Sequence, residues 1–354
     1  MEWYSFLVVL AISFVLSLIF SFLAQKIAFR FKILDYPGPR KIHSKPIPRI
    51  GGLAFVVAFL LIAGIVFLFF KPEISSTRLI GTVLGTLVVI ISGLWDDIKG
   101  LTPIKKLFWQ TVAAILVVAG GVEISFLRNP LGGPFPFFNL ALKSFNFEIL
   151  GHHLSLVLPA DLILVLWIVA MINILNFLDG LNGLAAGVST IAALTLFGLA
   201  LRPEVSQVFL AMLALVLAGS VMGFLPFNFP KAKMFMGDVG SQFLGFVLAV
   251  MAVISGGKTA TLFLVLGLPI LDFVWVILRR ILAKKSPFLA DKKHLHHRLL
   301  AVGLSPVKAV IFIWCWTAVF GLLAVFGSTW HKFLGFLFLV LAMVILAAIL
   351  VMLE

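Results

Sequence analysis

The sequence alternates between long apolar runs and short polar segments. Eleven runs are long enough to cross a hydrocarbon layer of about 30 Å as helices. They cover residues 3–25, 51–70, 79–95, 107–122, 156–175, 184–201, 205–225, 240–256, 260–281, 307–327 and 333–353. The pattern therefore predicts an all-α polytopic membrane protein. Because the runs leave no room for a separate soluble unit, it also predicts a single domain over residues 1–354.

Composition and charge agree with a membrane protein and orient it. Hydrophobic residues make up 62% of the chain, whereas a soluble domain is usually about half apolar. A net charge of +13 would suggest nucleic acid for a soluble protein, but here the distribution of charge is more informative. With the N-terminus outside, 20 of the 27 Lys and Arg residues fall on the cytoplasmic side. Since cytoplasmic loops concentrate Lys and Arg, we predict an outside N-terminus, a cytoplasmic C-terminus and no nucleic-acid partner.

Four polar clusters lie at the predicted cytoplasmic ends of the apolar runs. They are Asp96-Asp97, the segment Asn173–Gly183, Asp238, and His294-Leu295-His296-His297-Arg298. Polar side chains at a membrane edge are costly to desolvate, so they need partners or a function. The second cluster contains no Lys or Arg, so its own charge does not decide its side. We therefore predict that the four clusters converge on one cytoplasmic site.

Adjacent carboxylates follow the third run. Asp96 and Asp97 meet the unfavourable end of a helix dipole and repel each other, so the pKa of one should be raised unless a cation is present. Lys99, Lys105 and Lys106 stand nearby and offer the alternative of a solvated, neutralised acid pair. A pair in this position beside three lysines favours a functional site.

Three polar residues, Asn176, Asp179 and Asn182, recur at intervals of three. On one helical turn such residues point the same way, towards one ligand. Helix capping accounts for one or two of them, but not for three. Asp238 is either the N-cap of the following span or an oxygen ligand for Mg²⁺, which commonly takes one or two carboxylates. Phe235, three residues earlier, either stacks on a base or anchors the loop at the interface.

The last basic loop holds three histidines beside an arginine. Zinc is one interpretation, but the His-x-His-His segment has no Cys and lacks the usual spacing of zinc ligands. A phosphate clamp made by His294, His296, His297 and Arg298 fits better.

The first inside loop, residues 26–50, is basic and rich in proline, and it includes Lys45. Positive-inside charge accounts for the basic residues. It does not account for Gly51-Gly52 at the start of the next run, which would permit tight helix contact or the approach of a lipid chain.

Asp272 lies within the predicted run 260–281. An intramembrane carboxylate is a functional candidate by default, but structural pairing at a kink after Pro269 is an equally good interpretation. On the outside, the Pro-, Gly- and Phe-rich loop 123–155 predicts a short hairpin or an interfacial re-entrant segment.

Five motifs, in this order, resemble those of the polyprenyl-phosphate N-acetylhexosamine-1-phosphate transferases. They are Asp35-x-Pro37…Arg40-Lys41-x-His43…Pro46-x-Pro48-Arg49-x-Gly51-Gly52, Asp96-Asp97, Asn176-Phe-Leu-Asp179-Gly-Leu-Asn182-Gly, Phe235-Met-Gly-Asp238-Val-Gly-Ser241 and His294-Leu-His296-His297-Arg298-Leu. The resemblance extends from the first inside loop to residue 300. Any one motif is weak, but five in order are specific.

The resemblance implies a reaction. A phosphate oxygen of undecaprenyl phosphate attacks the β-phosphate of a UDP-sugar and releases UMP, with Mg²⁺ required and Mn²⁺ a candidate substitute. The implied roles are catalytic for Asp96, Asp97 and Asp179, metal-binding for Asp238 and Asn176, and substrate-binding for Lys45, Lys106, Asn182, Phe235, His294, His296, His297 and Arg298. The lack of a plausible Ser or Cys nucleophile favours direct attack, and a covalent aspartyl-phosphate route stays open.

Within that family, the chain resembles the N-acetylglucosamine-1-phosphate branch, which begins lipopolysaccharide O-antigen, enterobacterial common antigen or wall teichoic acid synthesis. The implied partners are UDP-N-acetylglucosamine, undecaprenyl phosphate and the bacterial cytoplasmic membrane, and a homodimer is left open. A phospho-N-acetylmuramoyl-pentapeptide transferase, or a transferase using another UDP-N-acetylhexosamine, is the alternative. A secondary transporter is more distant, because the acids cluster at one face and no internal repeat is visible.

Overall fold

The computed structural model describes residues 3–37, 45–124, 126–128, 137–149, 152–254, 259–284 and 294–353. Within these ranges the chain forms thirteen helices and three two-stranded antiparallel sheets. The helices are α1 (Tyr4–Arg30), α2 (Gly51–Phe70), α3 (Ser76–Lys99), α4 (Pro103–Ala119), α5 (Ala160–Leu178), α6 (Leu184–Ala200), α7 (Val208–Asn228), α8 (Gly237–Ile254), α9 (Thr259–Val265), α10 (Gly267–Leu282), α11 (Leu295–Ala301), α12 (Pro306–Phe326) and α13 (Thr329–Leu353). The strands are β1 (Leu34–Asp35), β2 (Ile47–Pro48), β3 (Phe126–Arg128), β4 (Phe137–Asn139), β5 (Ala141–Ile149) and β6 (His152–Pro159).

The helices identify a polytopic membrane protein. In the described part of the chain, eight helices are long and apolar enough to cross a membrane: α1, α2, α3, α5, α7, α8, α12 and α13. Helix α6 is also apolar but has 17 residues. Ten of the eleven predicted runs each overlap one helix, although the fifth run, 156–175, begins within β6 and α5 starts only at Ala160. This agreement is expected, because a helix satisfies its backbone hydrogen bonds internally where no water is available.

The ninth predicted run, residues 260–281, is wrong as a single continuous helix. It is divided into α9 and α10, with the break at Leu266. Pro269 has no N–H to donate to the carbonyl of Val265, and its ring crowds that carbonyl. The break therefore precedes the proline, and an apolar run does not reveal it because both helices are hydrophobic.

The strands modify the all-α prediction. In the loop 123–155, β3 pairs with β4 and β5 pairs with β6, both antiparallel. The interpretation of this loop as a hairpin is therefore confirmed, with two hairpins in place of one. The larger hairpin leads directly into α5.

Helix α8 is at the centre of the bundle. Every residue from Asp238 to Val253 is buried, and α2, α3 and α5 pack around it. Glycines allow this close approach: a Cβ on Gly93 of α3 would lie 2.6 Å from Val239 Cα, and a Cβ on Gly52 would collide with the backbone of α8. The paired glycines at the start of α2 thus form a tight helix contact.

Backbone hydrogen bonds join the loop before α2 to the loop before α8. The N–H of Phe235 donates to the Pro48 carbonyl at 2.8 Å. In return, the N–H groups of Gly51 and Gly52 donate to the carbonyls of Phe235 and Met236 at 3.0 and 2.7 Å. These bonds satisfy donors that the first turn of α2 would otherwise leave unpaired. They hold the two loops together at one end of the bundle.

Candidate active site

Asp97 joins the end of α3 to the beginning of α8. Its Oδ1 accepts the N–H of Asp238 at 2.8 Å, and its Oδ2 accepts the N–H of Val239 at 3.0 Å. A carboxylate is favourable there, because the first N–H groups of a helix lack partners and carry the positive end of its dipole. Gly237 makes the turn with φ of +74°, and a Cβ there would crowd the Asp97 carboxylate. Both oxygens of Asp97 are therefore engaged in holding α8.

Lys106 of α4 lies between two carboxylates. Its Nζ forms a salt bridge with Asp96 Oδ2 and is 3.1 Å from Asp238 Oδ1. Asp96 Oδ1 also accepts the N–H of Leu101 at 2.6 Å, which stabilises the turn between α3 and α4. Burying a carboxylate carries a large desolvation penalty, which a nearby cation can offset. The ammonium of Lys106 compensates both of these acids.

Arg49 supplies a second cation from the loop before α2. Its guanidinium lies 3.4 Å from Asp97 Oδ1 and 3.4 Å from Asp238 Oδ2. The side chain is 39% exposed, so it lies at the surface of the site, above buried acids. Asp238 is consequently shared by both cations.

Asn176 and Asp179 bring α5 to the same place. Asn176 Nδ2 donates to Asp238 Oδ1 at 2.6 Å and to Ser241 Oγ at 3.0 Å. Asp179 follows the last residue of α5, where its backbone N–H donates to the Leu175 carbonyl, and its carboxyl group has no hydrogen-bond or salt-bridge partner among the described residues. Burial, followed by the negative charges of Asp238 and Asp97, raises the pKa of the Asp179 carboxyl well above its usual value. Below, the carboxylate cluster means Asp96, Asp97, Asp179 and Asp238, and Asp179 is the member with no cation beside it among the described residues.

The turn after α5 departs from the predicted helical spacing. Because α5 ends four residues earlier, Asn182 lies on a turn and not on one helix face with Asn176. The N–H of Gly183, at φ +80°, donates to Asn228 Oδ1 at 2.7 Å, and Asn228 Nδ2 donates to the Met234 carbonyl at 3.0 Å. Asn182 is half-buried beside this link. No hydrogen bond joins it to the carboxylate cluster in the described structure.

Residues His294–Arg298, here the histidine segment, begin with a His–Asp pair. His294 Nδ1 is 2.9 Å from Asp272 Oδ2 on α10, and the N–H of Leu295 donates to Asp272 Oδ1 at 2.8 Å. The His294 ring stacks on Phe177, with 5.4 Å between centroids and 23° between planes. Since Phe177 follows Asn176, this contact places the histidine segment beside the carboxylate cluster.

His296 is buried against the turn after α5. It is 3% exposed, and its Nε2 has no hydrogen-bond partner within the described ranges. A Cβ on Gly180 would collide with this nitrogen, so glycine leaves the room that the ring needs. Burial, together with His297 and His294, lowers the pKa of His296 to about 3. The imidazole is therefore neutral at pH 7.

The other predicted ligands lie around this centre. Arg298 is buried, and one guanidinium nitrogen donates to the Ala347 carbonyl at 3.2 Å, which ties α11 to α13. The ring of His297 packs on the preceding histidine, with 4.3 Å between centroids. Phe235 is half-buried in the loop before α8, and Lys45 is exposed in the first loop. The structure thus brings the four predicted clusters together, while Arg298 contributes at least in part to helix packing.

A layer of buried amides lies one helical turn deeper. Gln110 Oε1 accepts Asn173 Nδ2 at 2.7 Å, and Gln110 Nε2 donates to Gln242 Oε1 at 3.4 Å. The helices that carry these amides, α4, α5 and α8, also carry the lysine, asparagine and aspartate that meet in the carboxylate cluster, three or four residues away. Hydrogen bonds between buried amides set the relative positions of helices. The layer therefore supports the site from below.

Several contributors were not among the predicted ligands. Arg49 belongs to the first motif, but the sequence indicated for it only the positive charge of a cytoplasmic loop. Asn228 lies in a Pro- and Phe-rich segment at the end of a predicted span. In the sequence, the amide layer is indicated only weakly, by Gln110, Asn173 and Gln242 within predicted apolar runs. The motif residues Arg40, Lys41 and His43 lie outside the described residues.

The donor set fits a magnesium ion. Among the described residues, no three His, Cys, Asp or Glu side chains form a metal-binding group. Mg²⁺ does not require one, because it usually takes one or two protein carboxylates and completes its shell with substrate phosphates and waters. Asp238, Asn176 and the unpaired Asp179 offer such oxygens. Four acids face two cations there, and a bound divalent ion would favour the ionised form of Asp179, whose pKa is raised by burial and by neighbouring acids.

Comparison with known proteins places this geometry in a family. The model of glycosyl transferase family 4 matches residues 79–256, which include the carboxylate cluster and Lys106. The chain belongs to glycosyl transferase family 4. In this family member, the matched region excludes Arg49 and the histidine segment, so the structure shows contributors beyond it.

Relatives of this glycosyl transferase family 4 chain extend over nearly its whole length. A probable undecaprenyl-phosphate N-acetylglucosaminyl 1-phosphate transferase of Bacillus subtilis is 34% identical over 350 residues, covering 96% of this chain and 90% of that protein. A decaprenyl-phosphate N-acetylglucosaminephosphotransferase of Mycolicibacterium smegmatis is 34% identical, covering 83% and 75%. An undecaprenyl-phosphate alpha-N-acetylglucosaminyl 1-phosphate transferase of Thermotoga maritima is 29% identical, covering 95% and 93%. The resemblance read from the five motifs is thereby confirmed.

Proposed function

We propose that this chain transfers N-acetylglucosamine 1-phosphate from UDP-N-acetylglucosamine to undecaprenyl phosphate, releasing UMP. The observation that carries the proposal is the position of Lys106 and Arg49, two cations held by acids at one end of a bundle of membrane helices. A lipid phosphate and a soluble nucleotide can meet at such a place. The names of the relatives support the same reaction.

Both substrates are anions, so charge neutralisation and positioning are the main requirements for catalysis. An oxygen of the lipid phosphate forms a bond to the β-phosphorus of the nucleotide sugar. The bond from that phosphorus to the oxygen bridging the α- and β-phosphates breaks, and UMP leaves with that oxygen. Lys106 and Arg49 can exchange a carboxylate oxygen for a phosphate oxygen, and each would lower the repulsion between the reactants.

The acids divide the remaining work. Asp97 has both oxygens engaged in holding α8, so its role is to position Asp238 and Arg49. Asp96 positions the ammonium of Lys106. The Asp179 side chain has no partner among the described residues, and its raised pKa suits it to exchange a proton with the reacting phosphates.

Mg²⁺ would be held by Asp238 and Asn176, with Mn²⁺ as a candidate substitute. Bound there, the ion would neutralise charge on the diphosphate. Asn182 and Phe235 would hold the uracil, Lys45 would reach the phosphates, and the histidine segment would take the sugar-phosphate end.

The setting of the proposed reaction is the bacterial cytoplasmic membrane. The apolar runs of the sequence support eleven spans, and the excess of Lys and Arg on one side supports an outside N-terminus and a cytoplasmic active site. The chain would act as one domain over residues 1–354, at the first membrane step of a cell-envelope polysaccharide.

The test is UMP release by the purified protein in detergent, with undecaprenyl phosphate and either UDP-N-acetylglucosamine or UDP-N-acetylmuramoyl-pentapeptide. We expect release from the first donor only, with activity lost in EDTA and restored by Mg²⁺. We also expect Asp238→Ala to lose activity by about 10³-fold, at the upper end of what removing one electrostatic contact in an active site costs.

Each arm of this assay can contradict a separate part of the proposal. Full activity of folded Asp238→Ala would remove the metal assignment. Turnover of the pentapeptide donor alone would replace the proposed reaction with the alternative one. If the folded protein released no UMP from either donor, the assignment as a transferase would be contradicted.

A further inference from the structure

Asp272, on α10, makes two contacts with the histidine segment. Its Oδ2 lies 2.9 Å from His294 Nδ1, and its Oδ1 accepts the N–H of Leu295 at 2.8 Å. The Asp272 side chain is 14% exposed and the His294 side chain is 8% exposed. A carboxylate this buried, with each oxygen assigned to one donor, restricts both the start of α11 and the imidazole.

The first contact selects one form of the imidazole. An ionised carboxylate can only accept a hydrogen bond, so Nδ1 of His294 must carry the proton. In the neutral ring Nε2 is then unprotonated and can accept a hydrogen bond or a proton. Stacking on Phe177 at 5.4 Å, and a parallel ring of His296 at 5.9 Å and 3°, hold the plane of this imidazole.

We propose that Asp272 is a positioning residue for the transferase reaction: it holds His294 with Nδ1 protonated, so that Nε2 is free to meet the phosphate-bearing donor substrate. The inference rests on the proposed function, in which the histidine segment contacts that substrate. It assigns a role to an acid that lies 22 residues from His294 in the sequence. The competing interpretation is that Asp272 merely caps α11 and packs α10 against it.

Asp272→Asn separates these interpretations. The amide oxygen of Asn can still accept the N–H of Leu295, so the cap is kept. Its amide nitrogen can only donate, so it would force His294 Nδ1 to become the acceptor and would move the proton to Nε2. In catalytic triads the same replacement preserves geometry and traps the wrong tautomer.

The kinetic test compares wild type, Asp272→Asn, His294→Ala and the double variant in the UMP-release assay. We expect Asp272→Asn to lower kcat/KM by about 10–100-fold, the usual effect of a residue that orients a ligand from behind, without a change in melting temperature. In the His294→Ala background the same replacement should have no further effect. Equal losses in both backgrounds, or a melting temperature that falls in parallel with activity, would overturn the proposal.

Asp161→Asn is the matched control. Asp161 is also a partly buried acid at the start of a membrane helix, and its Oδ2 accepts the N–H of Val157 at 2.7 Å. Asp161 belongs to the end of α5 opposite the carboxylate cluster and has no histidine partner in the described structure. We expect the control to retain wild-type kcat/KM.

A second measurement does not depend on activity or on the folding of the Asp272→Asn variant. In wild-type protein labelled with ¹⁵N-histidine, the ring signals of His294, assigned by their loss in His294→Ala, should show a protonated Nδ1 and an unprotonated Nε2. The reverse tautomer would overturn the proposal. If the wild-type protein released no UMP, the proposed function would be contradicted. The position of the proton on His294 is a separate result, and only a protonated Nε2 would contradict the inferred His–Asp geometry.

Discussion

The acidic and histidine sides of the site are stabilised in different ways. On the acidic side, Lys106 and Arg49 compensate buried carboxylates, and Asp97 caps the helix that carries Asp238. On the histidine side, His296 is neutral and its Nε2 has no partner within the described ranges. The first is an ionic network, and the second is a set of stacked rings.

This difference indicates where ligand binding should change the protein. The cations of the acidic side must release carboxylates before they can meet phosphates, so binding there exchanges one ionic contact for another. The unpaired nitrogen of His296 has no contact to lose among the described residues. Its position depends on the shape of the turn at Gly180, so packing should matter most on that side and charge on the other.

The largest effect should follow from removing the cation that two acids share. Lys106→Met leaves Asp96 without its cation and leaves Asp238 with Arg49 alone, and we expect UMP release to fall by about 10²–10³-fold. Lys105→Met is the control, because Lys105 is exposed on the same helix and should tolerate the change. Similar activities for the two variants would contradict the charge compensation assigned to Lys106.

A smaller effect should follow from packing on the histidine side. Gly180→Ala places a methyl group against His296 Nε2, and we expect a loss of about tenfold in kcat/KM and about 1–3 kcal/mol in the free energy of unfolding, as for other overpacked sites. Gly64→Ala is the control, since a Cβ there meets nothing within 4 Å. Unchanged kinetics in Gly180→Ala would show that the ring adjusts freely.

The amide layer below both sides should show a weaker, coupled effect. Gln242→Leu leaves Gln110 Nε2 without its acceptor, and we expect destabilisation by about 1–3 kcal/mol, as for a buried unsatisfied donor. Adding Gln110→Leu should destabilise less than the sum of the single changes. Additive changes in denaturant midpoints would indicate that the two amides act independently.

The smallest effect should be the response of His296 to pH. The pKa of His296 is about 3 in the folded protein and about 6.5 for an ordinary histidine, as in the unfolded chain. Below pH 6.5 the unfolded chain therefore binds a proton that the folded protein does not. The free energy of unfolding should therefore decrease as pH falls from 6.5 towards 3. His296→Phe removes this titration, and its melting temperature should fall less between pH 7.5 and pH 5 than that of wild type. Identical slopes would contradict a neutral, buried His296.

The sequence was a good guide to the helices and to the end of the bundle where the chemistry lies. The run 51–70 coincides with α2, because the thickness of the hydrocarbon layer sets the length of apolar helices. Asp96, Asp179 and Asp238 stood out because acids are expensive at such positions. Local pattern suggested one hairpin in the loop 123–155 and a kink after Pro269, but it did not show the second hairpin or the helix break before the proline. Strand pairing and the position of a break depend on contacts between segments.

Roles within the site depended on partners that are distant in sequence. Asp97 accepts a hydrogen bond from the backbone N–H of Asp238, 141 positions away in the sequence. The predicted catalytic acid is therefore also the cap of helix α8. The helical spacing of Asn176 and Asn182 suggested a common direction, but α5 ends between them.

The sequence by itself determined that the chain is a membrane protein, which polar groups are unusual and which family it resembles. These properties follow from the composition of contiguous segments and from ordered motifs. Only the tertiary structure decided that Asp97 holds α8, that the Asp179 side chain lacks a partner among the described residues, and that Asp272 pairs with His294. The insertion of a segment into the membrane depends on its own run of apolar residues. An ion pair or a hydrogen bond depends on the distance between groups that only folding brings together.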